Sequence, residues 1–283
     1  MPSRIQTAKT IELKSYAKIN LCLRITGKYE DGYHSLSSVF IEIDLHDNIY
    51  ITPSKSMKLL IEGTDYTSDK NNTIIKTTYL MKEKFSLQDN FAITVEKNIP
   101  YGAGLGGGSS NAAAIIKFLN MFYDLKLSNK QMEEIALYIG CDVPFFIRGG
   151  LQLVEGRGEI LTPIKVKFPY TFLIVYPGIN ISTKWAYTQF DLTKKSYRHK
   201  FDTLFNSDGF NFELFENQFE DIVFQTHPEV GRIKQELLKS GAIYAGLSGS
   251  GSTVFGIYEN IASAKEVEKN FKNFHTSIAL PRY

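Results

Sequence analysis

The strongest chemical signal in the sequence is a run of glycine and serine between residues 100 and 110. It reads Pro100, Tyr101, Gly102, Ala103, Gly104, Leu105, Gly106, Gly107, Gly108, Ser109, Ser110. Backbone N–H groups can turn inward around an anion only where no Cβ atom intervenes, and glycine removes that atom. A helical pattern of apolar residues follows at once, so the loop also leads into the positive end of a helix dipole. The combination predicts a binding site for the phosphate chain of a nucleotide.

This loop differs from two common nucleotide-binding motifs. It does not end in the Gly-Lys-Ser/Thr of a Walker A motif, and it lacks the spaced glycines and downstream acid of a dinucleotide-binding fold. A flexible glycine linker is the plain alternative, but a linker does not need the long apolar elements that flank this run. Ser109 and Ser110 have hydroxyl groups that can bond phosphate oxygens or a phosphate-bound Mg²⁺.

Two charged residues are candidates for the chemistry of phosphoryl transfer. Asp142 follows a helix end and precedes an apolar run, where an acid either caps the turn or orients and deprotonates an attacking hydroxyl group. Lys18 lies in a segment with apolar residues at the odd positions, so a strand would project Lys18 and Asn20 from its more polar face. Lys18 is either a solvent-facing lysine or a cation that stabilises phosphoryl charge. The residues alone leave both choices open.

Two further loops have weaker signals. Tyr33 and His34 follow Gly32 in a polar segment, where a ring can stack on a base and an imidazole can hydrogen-bond it; ordinary loop residues are the alternative. Residues 248–252 lie between two strand patterns and alternate serine with glycine, including Ser248 and Gly249. Such a loop either brings its backbone close to a ligand or simply connects the two strands.

The periodicity around these residues predicts an α+β framework. Strands are predicted at residues 11–25, 39–45, 48–52, 57–61, 91–96, 170–176, 243–247, 253–258 and 276–280. Helices are predicted at residues 71–85, after the glycine loop, from the capping-box pattern at 128–131 onward, and at 214–225, 229–240 and 262–271. A change in the sequence pattern after Gly149 and Gly150 predicts two domains. They are residues 1–160, which include the phosphate loop, and residues 161–283.

Composition restricts the classes of partner and compartment. The chain has 283 residues, with 32 basic and 30 acidic side chains and a formal net charge of +2, which gives no electrostatic case for nucleic acid. The two cysteines, Cys22 and Cys141, lie far apart without metal-ligand spacing, as expected of buried, reduced thiols. No apolar run approaches the ~20 residues of a membrane span, and residues 1–10 have no targeting pattern. A cytoplasmic protein without a membrane partner is predicted.

Five segments taken together resemble the GHMP kinase superfamily, named for galactokinase, homoserine kinase, mevalonate kinase and phosphomevalonate kinase. The segments are 16–21, 31–34, 106–110, 142–145 and 247–251. Their order and spacing are most similar to the branch that acts on a cytidine-diphosphate-linked methylerythritol. The resemblance implies transfer of the γ-phosphoryl group of ATP to the 2-hydroxyl group of that substrate, in the non-mevalonate route to isoprenoid precursors. It also implies a two-lobed fold, with an N-terminal lobe like ribosomal protein S5 domain 2 and a ferredoxin-like C-terminal lobe.

The resemblance further implies roles for single residues. Asp142 would be the catalytic base with Lys18 as its charged partner, and residues 100–110 would wrap the phosphates of ATP. The substrate-binding residues would be Asn20, Tyr33, His34, Thr183, Tyr187, Ser248 and Gly249. Tyr187 occupies a position where phenylalanine is often found, so stacking is retained. Because residues 109–119 contain no carboxylate, Mg²⁺ would be held mainly by phosphates, with Ser109, Ser110 and water.

Two other functions are weighed against this one. The chain could be a GHMP kinase for a smaller alcohol, such as homoserine, mevalonate or a sugar, but a small acceptor does not need the aromatic pair Tyr33 and His34. It could also be a nucleotide-binding module without catalysis, against which the presence of Lys18 and Asp142 argues. The polar segment 197–211 has no assigned role and is expected to form a solvated surface loop.

Overall fold

A computed structural model of the chain describes residues 9–62, 71–190, 204–206 and 209–283. Residues 1–8 and most of the polar segment 197–211 (197–203 and 207–208) lie outside these ranges. The strands are β1 (Ile11–Lys28), β2 (His34–Ser54), β3 (Lys58–Glu62), β4 (Asn90–Glu96), β5 (Leu151–Gly156), β6 (Ile160–Pro163), β7 (Thr171–Tyr176), β8 (Phe205–Asn206), β9 (Gly209–Phe210), β10 (Tyr244–Leu247), β11 (Val254–Tyr258) and β12 (His275–Ala279). The α-helices are α1 (Thr73–Phe85), α2 (Gly107–Tyr123), α3 (Asn129–Leu137), α4 (Phe145–Arg148), α5 (Thr183–Gln189), α6 (Glu220–Thr226), α7 (Pro228–Lys239) and α8 (Ile261–Glu268). Two short 3-10 helices cover Phe212–Leu214 and Lys269–Phe271.

The chain forms two compact units, each assembled from separate stretches of sequence. Unit 1 contains the described residues of Met1–Ala17, His46–Ile99 and Gly106–Arg148. Unit 2 contains those of Lys18–Leu45, Pro100–Leu105 and Gly149–Tyr283. Strands β1 and β2 and the glycine loop therefore contribute residues to both units. The division of the sequence at residue 160 stays a prediction.

Unit 1 combines β3, β4 and parts of β1 and β2 with the helices α1 to α4. The second half of β2 pairs antiparallel with β4, which pairs parallel with β3. The predicted helix after the glycine loop is confirmed as α2, whose apolar positions Ala112, Ile115, Ile116 and Leu119 are buried. The capping box at the start of α3 is also confirmed, because Ser128 and Gln131 bond each other's backbone N–H groups.

Unit 2 contains an antiparallel sheet in the order β10-β11-β7-β12. Strands β7 and β11, buried except for Tyr176, pack with apolar residues of α6, α7 and α8 into one core. In the same unit the first half of β2 pairs with β5, and β5 pairs with β6. Loop 248–252 connects β10 to β11, as the sequence predicts. The mixed α+β plan is confirmed.

The helix predicted at 214–225 is wrong in its first half, because α6 begins only at Glu220. The backbone of the preceding segment pairs with β1 instead: Leu23 N donates to Glu216 O at 2.8 Å and Gln218 N donates to Leu23 O at 3.0 Å. These long-range bonds occupy backbone N–H and C=O groups that would otherwise form the hydrogen bonds of a helix. The strands predicted at 39–45 and 48–52 also form one continuous strand, β2.

No helix in the described part of the chain is both long and apolar enough to cross a membrane.

Candidate active site

The first half of the glycine loop, Pro100–Leu105, packs tightly within unit 2. Gly102 and Gly104 have φ angles of +59° and +78°, which L side chains rarely adopt. A Cβ atom on Gly104 would lie 2.1 Å from Ser248 O, so the close approach of two backbones requires glycine there. Gly104 O also accepts a hydrogen bond from Ser248 Oγ at 3.0 Å. The two glycine-containing loops of this unit are therefore held against each other.

The second half of the loop forms the N-terminus of α2 in unit 1. Gly106 is the N-cap residue with φ +72° and has no side chain to bond the N–H groups of the first turn. These N–H groups and the helix dipole suit an anion. Thr73 Oγ1 donates to Gly108 O at 2.8 Å and ties this turn to α1. Ser109 is partly exposed, whereas Ser110 is 3% exposed with its Oγ atom 3.0 Å from Ser15 Oγ.

Lys18 and Asn20 share one face of β1, as the alternation predicts, but that face is buried in unit 2. They are 3% and 1% exposed, so Lys18 is not a solvent-facing lysine. Lys18 Nζ donates to Gly104 O at 2.9 Å and to Asn20 Oδ1, and it lies 4.8 Å from the centre of the Phe40 ring. The lysine ammonium is thus directed at the backbone of the glycine loop.

Asn20 connects β1 to a second strand and to the loop 248–252. Its Nδ2 donates to Ser38 Oγ at 3.1 Å, and its backbone N–H donates to Ser248 Oγ at 3.3 Å. Ser38 Oγ in turn donates to Cys22 O at 2.5 Å. A buried amide with several bonds has a fixed orientation, which is what a substrate-binding group needs.

His34 and Tyr187 come together in unit 2 although they lie far apart in sequence. Their rings stack with centroids 5.1 Å apart and an interplanar angle of 25°. Tyr187 also contacts Phe219 edge-on at 4.9 Å. Burial, and then the positive charge of Lys28, lower the pKa of His34 below its ordinary value, so the imidazole is neutral at pH 7.

Thr183 lies one turn before Tyr187 on α5, on the same side of the helix. Its Oγ1 is 3.0 Å from Ser250 Oγ, so this helix contacts the loop 248–252. Tyr33 lies in the turn between β1 and β2 with its ring 56% exposed. The Tyr33 ring faces the guanidinium group of Arg157 at 5.0 Å.

Asp142 lies in unit 1, in the turn between α3 and α4, and is partly exposed. Val143 N donates to Gly140 O at 3.1 Å, and the next residues Val143, Pro144 and Phe145 are buried. These anchors fix the backbone at Asp142. The prediction of buried thiols is correct for Cys22, where burial raises the pKa of the thiol, and wrong for the neighbouring Cys141, which is partly exposed.

Some residues of this region escaped the sequence analysis. Asn180 abuts Gly102, because a Cβ atom there would lie 2.1 Å from Asn180 Oδ1. Asn217 Nδ2 donates to Leu247 O at 2.7 Å and to Gly249 O at 2.8 Å. An asparagine in a polar segment has many ordinary roles, so its residue type alone could not have singled out either one.

Family models match two parts of the chain. The model described as "GHMP kinases N terminal domain" matches residues 72–150, and that described as "GHMP kinases C terminal" matches residues 198–276. The first match contains most of the helices of unit 1 and the phosphate loop.

Comparisons over the whole chain agree with these matches. A 4-diphosphocytidyl-2-C-methyl-D-erythritol kinase from Chlorobium phaeobacteroides strain BS1 is 38% identical over 280 residues, which cover 95% of this chain and 96% of the relative. A crystal structure of 4-(cytidine 5'-diphospho)-2C-methyl-D-erythritol kinase superposes with a TM-score of 0.78 at 27% identity, covering 95% of this chain and 99% of that one. Homoserine kinase from Cytophaga hutchinsonii has a TM-score of 0.70 at 16% identity, with 98% and 96% covered, and shares the fold.

Proposed function

Because the chain belongs to the 4-diphosphocytidyl-2-C-methyl-D-erythritol kinase family of GHMP kinases, we propose that it phosphorylates the substrate of that family. It transfers the γ-phosphoryl group of ATP to the 2-hydroxyl group of 4-diphosphocytidyl-2-C-methyl-D-erythritol and releases ADP and the 2-phosphate. The reaction belongs to the non-mevalonate route to isoprenoid precursors. The observation that carries this proposal is identity of 35–38% to such kinases over nearly the full chain.

In this proposal the glycine loop binds the phosphates of ATP. The left-handed glycines keep Cβ atoms out of the loop, and the first turn of α2 offers N–H groups that no N-cap side chain occupies. Phosphoryl transfer depends mostly on positioning and on stabilising negative charge. Each half of the loop is fixed within its own unit, because Ser248 Oγ donates to Gly104 O and Thr73 Oγ1 donates to Gly108 O. The loop therefore supplies a preorganised anion site.

Lys18 and Asp142 are the proposed catalytic residues. Lys18 contributes a buried positive charge bonded to Gly104 O in the phosphate loop, and such a charge stabilises a developing anion more strongly than an exposed lysine would. Asp142 accepts the proton of the attacking 2-hydroxyl group. Its carboxylate is partly exposed on a turn with a buried anchor, which suits a group that must meet a substrate.

The cytidine end of the substrate is assigned to the aromatic residues of unit 2. Tyr33, His34 and Tyr187 offer ring faces for stacking, and the neutral His34 can donate or accept a hydrogen bond at the base. Asn20, Thr183, Ser248 and Gly249 would hold the remaining polar groups. Their mutual contacts through Ser248 Oγ and Ser250 Oγ support a single binding surface within this unit.

Mg²⁺ is proposed to arrive with the nucleotide. The first turn of α2 has no acidic residue, and the described residues contain no group of three His, Cys, Asp or Glu side chains placed to hold a metal. Ser109 is the more exposed of the two hydroxyls there and fits a cation that is bound mainly by phosphate oxygens and water. When bound, Mg²⁺ neutralises phosphate charge.

The test is an ADP-release assay with Mg-ATP and 4-diphosphocytidyl-2-C-methyl-D-erythritol, run beside homoserine, mevalonate and galactose. We expect selective turnover of the cytidine substrate. Activity on only one of the small alcohols would mean that the chain is a kinase but that the proposed substrate is wrong. ATP binding with no turnover of any acceptor would instead support the non-catalytic nucleotide-binding module.

A further inference from the structure

Arg157 is displayed at the tip of the turn between β5 and β6. Gly156 and Gly158 on either side have φ angles of +70° and +125°. L side chains rarely adopt these angles, so the turn favours glycine at both positions. Arg157 N also donates to Glu159 Oε2 at 2.5 Å. The direction in which the arginine leaves the turn is therefore fixed by its own backbone.

Strand register brings this turn beside the one that carries Tyr33. In the antiparallel pairing of β2 with β5, Leu36 is opposite Gly156. The end of β5 thus lies next to the start of β2, which begins at His34 directly after Tyr33. Both strands belong to unit 2. The two turns are neighbours because of sheet pairing, which positions Arg157 more firmly than a contact between loops alone.

The guanidinium group of Arg157 meets three residues of the β1–β2 turn. Its Nη2 is 2.6 Å from Asp31 Oδ2, and its Cζ lies 4.6 Å from the ring centre of Tyr29 and 5.0 Å from that of Tyr33. A planar guanidinium can bond a carboxylate at its edge while its faces contact aromatic rings. Arg157 therefore holds the acid and both rings of the turn at once.

The backbone of the turn already has a defined shape. Tyr29 N donates to Tyr33 O at 2.7 Å, Gly32 N donates to Tyr29 O at 3.0 Å, and Tyr33 N donates to Asp31 Oδ1 at 3.2 Å. These bonds fix the Cα position of Tyr33 but leave its χ1 angle open, because the ring is 56% exposed. The contact with Arg157 restricts the ring itself.

We infer that Arg157 is a positioning residue that orients the Tyr33 ring for the cytosine of the substrate. The inference rests on the proposed function, which assigns Tyr33 to the cytidine end. A ring already ordered loses less conformational freedom when a base stacks on it, so binding is tighter. Arg157 acts through Tyr33 and has no part in the transfer of the phosphoryl group. Its loss should therefore raise KM for the cytidine substrate and leave kcat unchanged.

Steady-state kinetics of the full chain at saturating Mg-ATP test this inference. For Arg157→Ala we expect KM for the cytidine substrate to rise about 3- to 10-fold, with kcat and KM for ATP within about 2-fold. Arg157→Lys should restore little of this loss, because an ammonium keeps the charge but lacks the planar face. Arg148→Ala is the matched control: Arg148 pairs with Glu133 on the surface of unit 1, and its removal should leave every constant unchanged.

A double variant separates positioning from a direct contact. If Arg157 acts only through Tyr33, then Arg157→Ala combined with Tyr33→Ala should have the same KM as Tyr33→Ala alone, which we expect to be raised about 10-fold or more. Additive effects would overturn the inference, as would an unchanged KM for Arg157→Ala beside a raised KM for Tyr33→Ala. An unchanged KM for Tyr33→Ala would overturn both the inference and the assignment of Tyr33. Absence of turnover in the unaltered chain would overturn the proposed function itself.

Direct binding of CDP to the same variants, measured by calorimetry, provides a second readout. CDP contains the base and the diphosphate without the reacting hydroxyl group. We expect Arg157→Ala to weaken CDP binding by the same factor as it raises KM, at an unchanged midpoint of thermal unfolding. A lowered midpoint with unchanged CDP affinity would mean that Arg157 has only a structural role and would overturn the inference.

Discussion

At the scale of single residues, the environment of Lys18 decides what its charge can do. Bonds from its Nζ to Gly104 O and Asn20 Oδ1 orient the ammonium. A charge buried in this way is costly, which is why such lysines are uncommon away from sites that use them. Phosphoryl transfer is one reaction that benefits from a fixed cation.

Asp142 gives the sharpest residue-scale prediction. Asp142→Asn keeps the shape of the side chain but removes its basicity, so kcat should fall by about 10²- to 10⁴-fold while KM values change little. The measurement is kcat under saturation with both substrates. Asp124→Asn is the control, since Asp124 is an exposed acid at the C-cap of α2, and it should keep full activity. Near-normal turnover of Asp142→Asn would remove this residue from the chemistry.

His34 should make substrate binding dependent on pH in one direction. Its pKa is lowered from the ordinary 6.5 by burial and then by Lys28, so the folded protein gains this proton at a lower pH than an ordinary histidine does. KM for the cytidine substrate should therefore be constant from roughly pH 6.5 to 8.5 and should rise as the pH falls further. Measuring KM against pH checks this, and His34→Asn should lack the acidic rise. A rise that persists in His34→Asn would belong to another group.

At the scale of elements, the glycine loops depend on close backbone contact and not only on freedom of φ. Gly104 and Gly178 both have φ +78°, but a Cβ atom would lie 2.1 Å from Ser248 O at Gly104 and would contact nothing within 4 Å at Gly178. A side chain at Gly178 would therefore cause backbone strain alone, whereas one at Gly104 would cause the same strain and a steric clash as well.

Alanine at these two positions should have different effects. Gly178→Ala should lower the free energy of unfolding by about 1–2 kcal/mol and leave kcat/KM unchanged. Gly104→Ala should lower kcat/KM by about 10-fold or more, because the two loops can no longer touch. Urea unfolding and steady-state kinetics of both variants are the measurements. Equal kinetic effects would mean that the contact between the loops has no part in activity.

Asn217 fastens the loop 248–252 to the segment before α6. Asn217→Ala would leave Leu247 O and Gly249 O without these bonds, at about 1–3 kcal/mol for each buried group, and should also raise KM for the acceptor. Chemical denaturation and kinetics measure the two effects. Asn120→Ala is the control: Asn120 makes two similar bonds to the backbone of Leu127 in unit 1, so its loss should lower stability alone.

The elements that could be predicted from sequence are those set by local pattern. The odd-position alternation of β1 correctly placed Lys18 and Asn20 on one face, and the glycine run before α2 marked the loop. The burial of that face and the late start of α6 depend on partners about 190 to 230 residues away, such as Leu23 with Asn217 and Asn20 with Ser248. Neither residue type nor spacing encodes those partners. The same holds for Arg157, whose neighbours follow from sheet register.

At the scale of the whole molecule, fold and substrate are separable. Homoserine kinase shares the fold at 16% identity, so architecture alone does not choose the acceptor. Identity over nearly the whole chain to kinases of the cytidine substrate favours that acceptor. The roles of the individual site residues stay predictions until variants are measured.

Ligand-induced stabilisation of the whole chain tests which acceptor it binds, without a need for turnover. A ligand present at 100 times its Kd stabilises the folded state by about 2.7 kcal/mol, which for a chain of this size raises the midpoint of thermal unfolding by several degrees. CDP should produce this shift, whereas homoserine and mevalonate at equal concentration should not. A shift with homoserine alone would favour the kinase for a smaller alcohol.

The unequal burial of the two thiols allows one of them to be labelled selectively in the unaltered protein. Cys22 is sealed in unit 2 and its raised pKa keeps it protonated, whereas Cys141 is partly exposed directly before Asp142. A thiol-directed fluorophore or spin label would therefore attach at Cys141 without any engineered cysteine. The chain carries its own attachment point for a reporter, one residue from the proposed catalytic base Asp142.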